Sequence, residues 1–171
     1  MKQILIIVNT LRLEKQLVNE LECSLLLYYG GRSRSSAKII NEQIKNTQNK
    51  NKKTIEAMHR IKESAYRMKD AVLTGSFPSF AEMLSAAWQE KKKTSSVVSN
   101  RELERTIDYA LANGAKAVKV SGAGGGGMVM IYCEPIDRQK LIDALKQLSG
   151  TTYPVKFSKN GVESWIVEDR A

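Results

Sequence analysis

An α+β fold is expected from three observations. Short β-type runs flank amphipathic helical stretches; two late runs are separated only by a glycine-rich loop; and a final run follows one short helix. The order strand, helices, strand, strand, helix, strand is that of a ferredoxin-like split β-α-β sandwich, its first crossover enlarged by a helical insertion.

Residues 2–8 read as a strand from their Ile/Leu/Val run, and 13–21 as a short helix with Leu13, Leu17, Val18 and Leu21 on one face. Residues 24–29 form the next strand, which Gly30-Gly31 breaks. Ser33, Ser35 and Ser36 offer N-caps for a helix through Ala37, Ile40 and Ile44. The polar, Asn/Lys-rich residues 46–53 predict an exposed join. Beyond it Ile55, Met58, Ile61, Ala65, Met68 and Val72 mark one face of a long helix that stops near Thr74-Gly75. After a turn at 76–79, Phe80, Leu84, Ala87, Trp88 and Lys91 align on a further helix.

Lys91-Lys92-Lys93 at that helix's end reads as a solvated terminus favoured by the macrodipole, rather than as a nucleic-acid patch. Ser99 and Glu102 fit a capping box ahead of Leu103, Ile107, Ala110 and Leu111, and Asn113-Gly114 fits a C-cap. Strands at 117–120 and 128–133, a helix at 137–148 and short strands at 152–157 and 162–167 complete the order.

Neither a repeat nor an internal boundary interrupts the 171 residues, so a single domain over 1–171 is expected, and 42% hydrophobic residues suffice for a core. The apolar run ending at Val8 is shorter than the roughly 7–15 residues of a signal peptide's core, which predicts a cytoplasmic chain without membrane contact. Cys23 and Cys133 lie far apart without C-x-x-C spacing, so a metal centre is not expected and both thiols read as reduced and buried. The lone histidine, His59, sits in a helical pattern as a solvated or packed residue, which argues against histidine-based catalysis. A net charge of +9 favours anionic partners without choosing among nucleic acid, nucleotide and sugar phosphate.

The most informative segment is Ser121-Gly122-Ala123-Gly124-Gly125-Gly126-Gly127. Such a stretch reaches positive φ and lets a ligand approach the backbone amides, which suits phosphate. A plain hairpin would need only one or two glycines. The spacing Gly122-x-Gly124-x-x-Gly127 matches a dinucleotide fingerprint, but residues 128–132 read as strand where that motif needs a helix N-terminus. No Gly-Lys-Ser/Thr closes a Walker A loop. A protein-kinase glycine loop fits the strand context, yet no V-A-I-K, H-R-D or D-F-G element follows.

Residues 119–127, K-V-S-G-A-G-G-G-G, resemble the third motif of the GHMP small-molecule kinases, the glycine-rich loop of their C-terminal domain. Residues 21–36 with Gln43, residues 88–93 and Ser99-Asn100 are similar to the heptose 7-phosphate kinase branch of bacterial sugar kinases. The resemblance implies transfer of the ATP γ-phosphoryl group to a sugar hydroxyl, with ATP and Mg2+ held mainly by an N-terminal domain. It also implies that Ser121 and the loop glycines brace the phosphate region; Arg32 and Arg34, just after a strand end, read equally as forks for sugar-phosphate oxygens and as surface charge at a helix start, and Lys119 is a further substrate-binding candidate.

The P-x-G-x-G-S-S-A type ATP loop and the catalytic Asp of that family have no counterpart here, and Gly30 stands where the family usually has Thr. The expectation is therefore the C-terminal half of a kinase, inactive alone, with no catalytic residue of its own and residues 1–20 as the join to an N-terminal half. Two alternatives stand beside it: a non-catalytic ferredoxin-like module binding an anionic ligand or RNA, and a homo-oligomer formed through apolar surface. Few aromatics and no RNP1 pattern disfavour nucleic acid.

Overall fold

The computed structural model describes residues 8–31 and 36–166. The expected strand at 2–8, apart from Val8, and the caps Ser33 and Ser35 lie outside the described residues, as do Arg32 and Arg34. The described chain runs α1 (Lys15–Ser24), β1 (Leu25–Tyr29), α2 (Ser36–Gln48), α3 (Lys52–Leu73), α4 (Phe77–Lys92), α5 (Arg101–Ala112), β2 (Ala115–Val120), β3 (Met128–Cys133), α6 (Arg138–Leu145) and β4 (Thr151–Pro154).

Every strand pairing is antiparallel and the spatial order is β2-β3-β1-β4, the arrangement expected of the split β-α-β sandwich. Side chains alternate across the pleat, so β1, β2 and β3 each feed two cores. Leu26, Tyr28, Val118, Val120, Val129 and Ile131 pack with α5 and α6 through Leu103, Ile107, Leu141 and Leu145. Leu25, Ala117 and Tyr132 point the other way, onto Leu21 of α1, Ala71 of α3 and Phe77, Phe80 and Leu84 of α4. The helical insertion thus occupies the face that a two-layer sandwich would leave open.

Several sequence expectations shift by a turn or a face. Helix α2 buries Ile39, while Ile40 and Ile44 stay exposed, because its contact surface is polar: Glu42, Gln43 and Asn46 all bond to residues 94–96. The exposed join shrinks to residues 49–51, where Asn51 caps α3 by accepting from Thr54 N. The buried face of α3 carries Thr54, Ala57, Ser64 and Ala71, small residues that allow close packing, with the larger predicted residues displaced to its flanks. The cap of α5 is Asn100, whose Oδ1 accepts from Leu103 N at 3.1 Å; Ser99 Oγ is spent on Glu104, so the capping-box reading is one residue out.

A bulge between Ala115 and Ala117 turns Lys116 to solvent and starts β2 early. Strand β4 is shorter than expected. No strand forms at 162–166, where hydrogen bonds from Ser158 Oγ to Asn160 O (2.9 Å) and from Asn160 Nδ2 to Glu163 Oε1 (2.6 Å) bend the chain. Cys133 is buried as expected but Cys23 is exposed; both are free thiols. His59 is an exposed helix residue, and no described helix is long and apolar enough to cross a membrane.

Candidate functional site: the glycine loop and its two sides

Strands β2 and β3 hold the loop. Lys119 faces Met130 and Val120 faces Val129 across the ladder, and the amide of Ser121 donates to Met128 O at 2.8 Å, so the excursion begins after Ser121. Gly122, Gly124, Gly125, Gly126 and Gly127 all have positive φ, between 72° and 140°. A side chain at these angles is strained, which is why the sequence runs through glycine here.

The loop is seated on the segment leading into α5. Gly125 N donates to Val98 O at 2.6 Å, and Asn100 Nδ2 donates to Gly125 O at 3.2 Å while its Oδ1 caps α5. A Cβ at Gly124 would stand 2.8 Å from Val98 O. Val98 is itself fully buried. The amides of Gly122, Ala123, Gly124, Gly126 and Gly127 have no backbone acceptor among the described residues. That leaves a run of donors of the kind that cradles phosphate oxygens.

The two sides of the loop differ chemically. Toward α5 lies an open cleft of about 350 Å³ whose lining includes Tyr28, Gly30, Asn100, Arg105, Tyr109 and Gly126. Its α5 residues Glu102, Arg105, Thr106 and Tyr109 recur at helical spacing on a face that adjoins Leu103, which also lines the cleft. That polar stripe was readable in the sequence; what it faces was not.

On the α4 side sit Lys91 and Lys119. Lys119 lies between Val118 and Val120, which both face α5 and α6, so strand alternation turns it toward α4. Lys91 Nζ donates to the carbonyl of Gly122. Burial holds the Lys91 ammonium below the usual lysine range, with a further push from the charge of Lys119; burial alone does the same to Lys119. The reading of Lys91 as part of a solvated helix end is therefore corrected: the last turn of α4 lies against the loop and loses water there.

The other singled-out segments converge on this end of the sheet. Trp88 is buried with Lys92 Nζ 5.8 Å from its ring centroid, Lys92 bonds Glu104 at 3.1 Å, and Gln43 Nε2 donates to Thr94 Oγ1 at 2.7 Å. Residues 94–100 thereby connect α2, the end of α4 and the glycine loop. Of the loop residues Gly125, Gly126 and Gly127 line the α5-side cleft, as does Gly30 just before the undescribed Arg32 and Arg34, whereas Ser121, Gly122, Ala123 and Gly124 do not line it and Lys119 lies on the α4 side.

Comparison with known proteins agrees with this architecture. Residues 68–149 match the family model described as GHMP kinases C terminal. Over 95% of its length the chain is 39% identical to the D-glycero-alpha-D-manno-heptose 7-phosphate kinase of Campylobacter jejuni, covering 47% of that protein. It matches the crystal structure of a D-glycero-D-manno-heptose 1-phosphate kinase from Bacteroides thetaiotaomicron with a TM-score of 0.66 and 32% identity, over 96% of this chain and 42% of that one. The L. major mevalonate kinase structure, at 23% identity and a TM-score of 0.65 over 72% of this chain and 38% of that one, shares the fold. The chain spans about half the length of the heptose kinase it matches.

Proposed function

We propose that this chain is the C-terminal half of an ATP-dependent kinase of a heptose phosphate, a reading supported by the match of residues 68–149 to the model described as GHMP kinases C terminal. The observation that carries the proposal is 39% identity to a heptose 7-phosphate kinase along nearly the whole chain, glycine loop included. The reaction is transfer of the ATP γ-phosphoryl group to a sugar hydroxyl, the anomeric one in a heptose 7-phosphate.

Such chemistry depends mainly on positioning and on charge stabilisation. In this half Ser121 and the amides of Gly122, Ala123, Gly124, Gly125, Gly126 and Gly127 brace phosphate oxygens, and Lys119 adds positive charge beside them. Arg32 and Arg34 follow Gly31 in the chain and supply planar forks for the sugar phosphate. ATP and Mg2+ are assigned chiefly to an N-terminal half, because the ATP loop and catalytic Asp of the resembled family have no counterpart in this sequence. A cytoplasmic setting belongs to the same reading, in keeping with two free thiols.

The RNA-module alternative has less support. Helices cover both faces of the sheet, which removes the open platform on which such modules stack bases. The decisive assay mixes the 171-residue chain with ATP and heptose 7-phosphate, alone and with the N-terminal half of a heptose kinase. Turnover is expected only in the mixture or in the fused protein. Robust turnover by the chain alone overturns the two-half reading, and none in either mixture or fusion overturns the kinase reading.

A further inference from the structure

The α4 side of the glycine loop carries positive charge that no acidic group among the described residues pairs with. Lys92 and Lys93 are matched, by Glu104 at 3.1 Å and Glu90 at 2.5 Å. Lys91 and Lys119, both half-buried, form no ion pair among the described residues. Each is drawn out of water, and Lys119 repels the charge on Lys91. Two neighbouring desolvated ammonium groups are an unfavourable arrangement unless an anion joins them. Among the described residues Lys91 bonds a neutral backbone carbonyl, that of Gly122, and its flexible stem allows it to exchange that partner for an anion.

We propose that Lys91 and Lys119, with the adjoining loop residues Ser121 and Gly122, form a phosphomonoester subsite on the α4 side of the loop, separate from the cleft on the α5 side. Two positive charges match a phosphomonoester dianion, and Gly122, whose carbonyl Lys91 contacts, has an amide with no backbone acceptor among the described residues. The occupant is the sugar's own phosphate, the one that is not transferred, which replaces the assignment of that phosphate to Arg32 and Arg34; that identity rests on the kinase reading, whereas anion binding at the site does not. Lys91 is then a substrate-positioning residue beside the Lys119 already assigned.

Titration of the full chain with inorganic phosphate at low salt, followed by amide chemical shifts, tests the site without turnover. Saturable shifts are expected in Ser121 and Gly122. Lys91→Met and Lys119→Met should each weaken binding at least about tenfold, whereas Lys91→Arg retains most of it. Lys116→Met, which removes the same charge from an exposed position on β2, should leave binding unchanged. Thermal melts of each variant confirm that the fold is kept, and Lys91→Arg decides the matter if a methionine variant unfolds. Absence of saturable binding, equal weakening by Lys116→Met, or loss only in Arg105→Met on the cleft side overturns the proposal. In the reconstituted kinase, a KM for heptose 7-phosphate unmoved by Lys91→Met sinks the subsite while leaving the kinase reading intact. Phosphate binding as described without any reconstituted activity does the reverse.

Discussion

Gly124 and Gly127 sit three residues apart in one loop, yet the structure gives them different reasons to be glycine. Gly127, at φ 87°, has open space where a Cβ would go, so only backbone conformation resists a side chain. Gly124, at φ 110°, combines that resistance with a collision against Val98 O. Gly127→Ala should therefore cost about 1–2 kcal/mol from the left-handed conformation. Gly124→Ala adds an overpacking cost of about 1–3 kcal/mol and moves the loop off Val98. Urea denaturation of the two variants measures the difference; equal losses would show that the Val98 contact is soft. That glycine is required here was legible from composition. The partner of each glycine was not, because Val98 and Gly124 meet only through the fold. Lys91 was misread for a related reason: a charge run at a helix end looks solvated until the loop it packs against is known.

Elements are held by polar anchors that periodicity does not reveal. Glu22, on α1, accepts from Phe157 N at 2.8 Å and pairs with Lys156, fixing the segment after β4 to the start of the sheet. The Lys156 ammonium, and then the Phe157 amide, hold its carboxyl below the ordinary range. A carboxyl lowered on folding contributes stability that is present above its unfolded value, about 4.3, and is lost as pH falls through the folded one. The stability difference between the native chain and Glu22→Gln should thus be largest near neutrality and shrink below about pH 4.3, as read by urea midpoints across pH. A difference independent of pH would assign the effect to packing. At the other end of the sheet, Asn100→Ala removes the cap of α5 and the bond to Gly125 O together. A loss of about 1–2 kcal/mol is expected, with amide shifts propagating into Gly125 and Gly126; shifts confined to α5 would separate cap from loop. The sequence reading found α1, β1, α3, α4, α5, β2 and β3, where apolar spacing is strong. It misplaced the buried face of α2 because that face is polar, and it added a strand at 162–167 from a β-rich composition that acquires no neighbour among the described residues.

At the scale of the whole molecule, strand order was legible as a sandwich, but not that helices cover both faces. The pattern along one strand shows that both sides are apolar without showing which helices lie where. β3 makes the two cores mechanically inseparable: Ile131 faces α5 and α6, and the next residue, Tyr132, faces α1 and α4, its ring centroid 6.1 Å from that of Phe80. Removing the Ile131 side chain opens a cavity in one core, while the strand it loosens also carries the other. Ile131→Ala should cost about 2–5 kcal/mol, and its unfolding should remain a single transition rather than split into two. The check is to follow far-ultraviolet circular dichroism, which reports all helices, against the fluorescence of buried Trp88, which sits in the core with α5 and α6. Trp165 is 80% exposed and adds a signal that changes little on unfolding, so the shift comes mainly from Trp88. Coincident midpoints follow from a shared strand. A fluorescence transition preceding the loss of helix would mean that the helical insertion stands without the sheet, and that the glycine loop, suspended between β2 and β3, would lose its fixed backbone geometry before the α1, α3 and α4 layer melts.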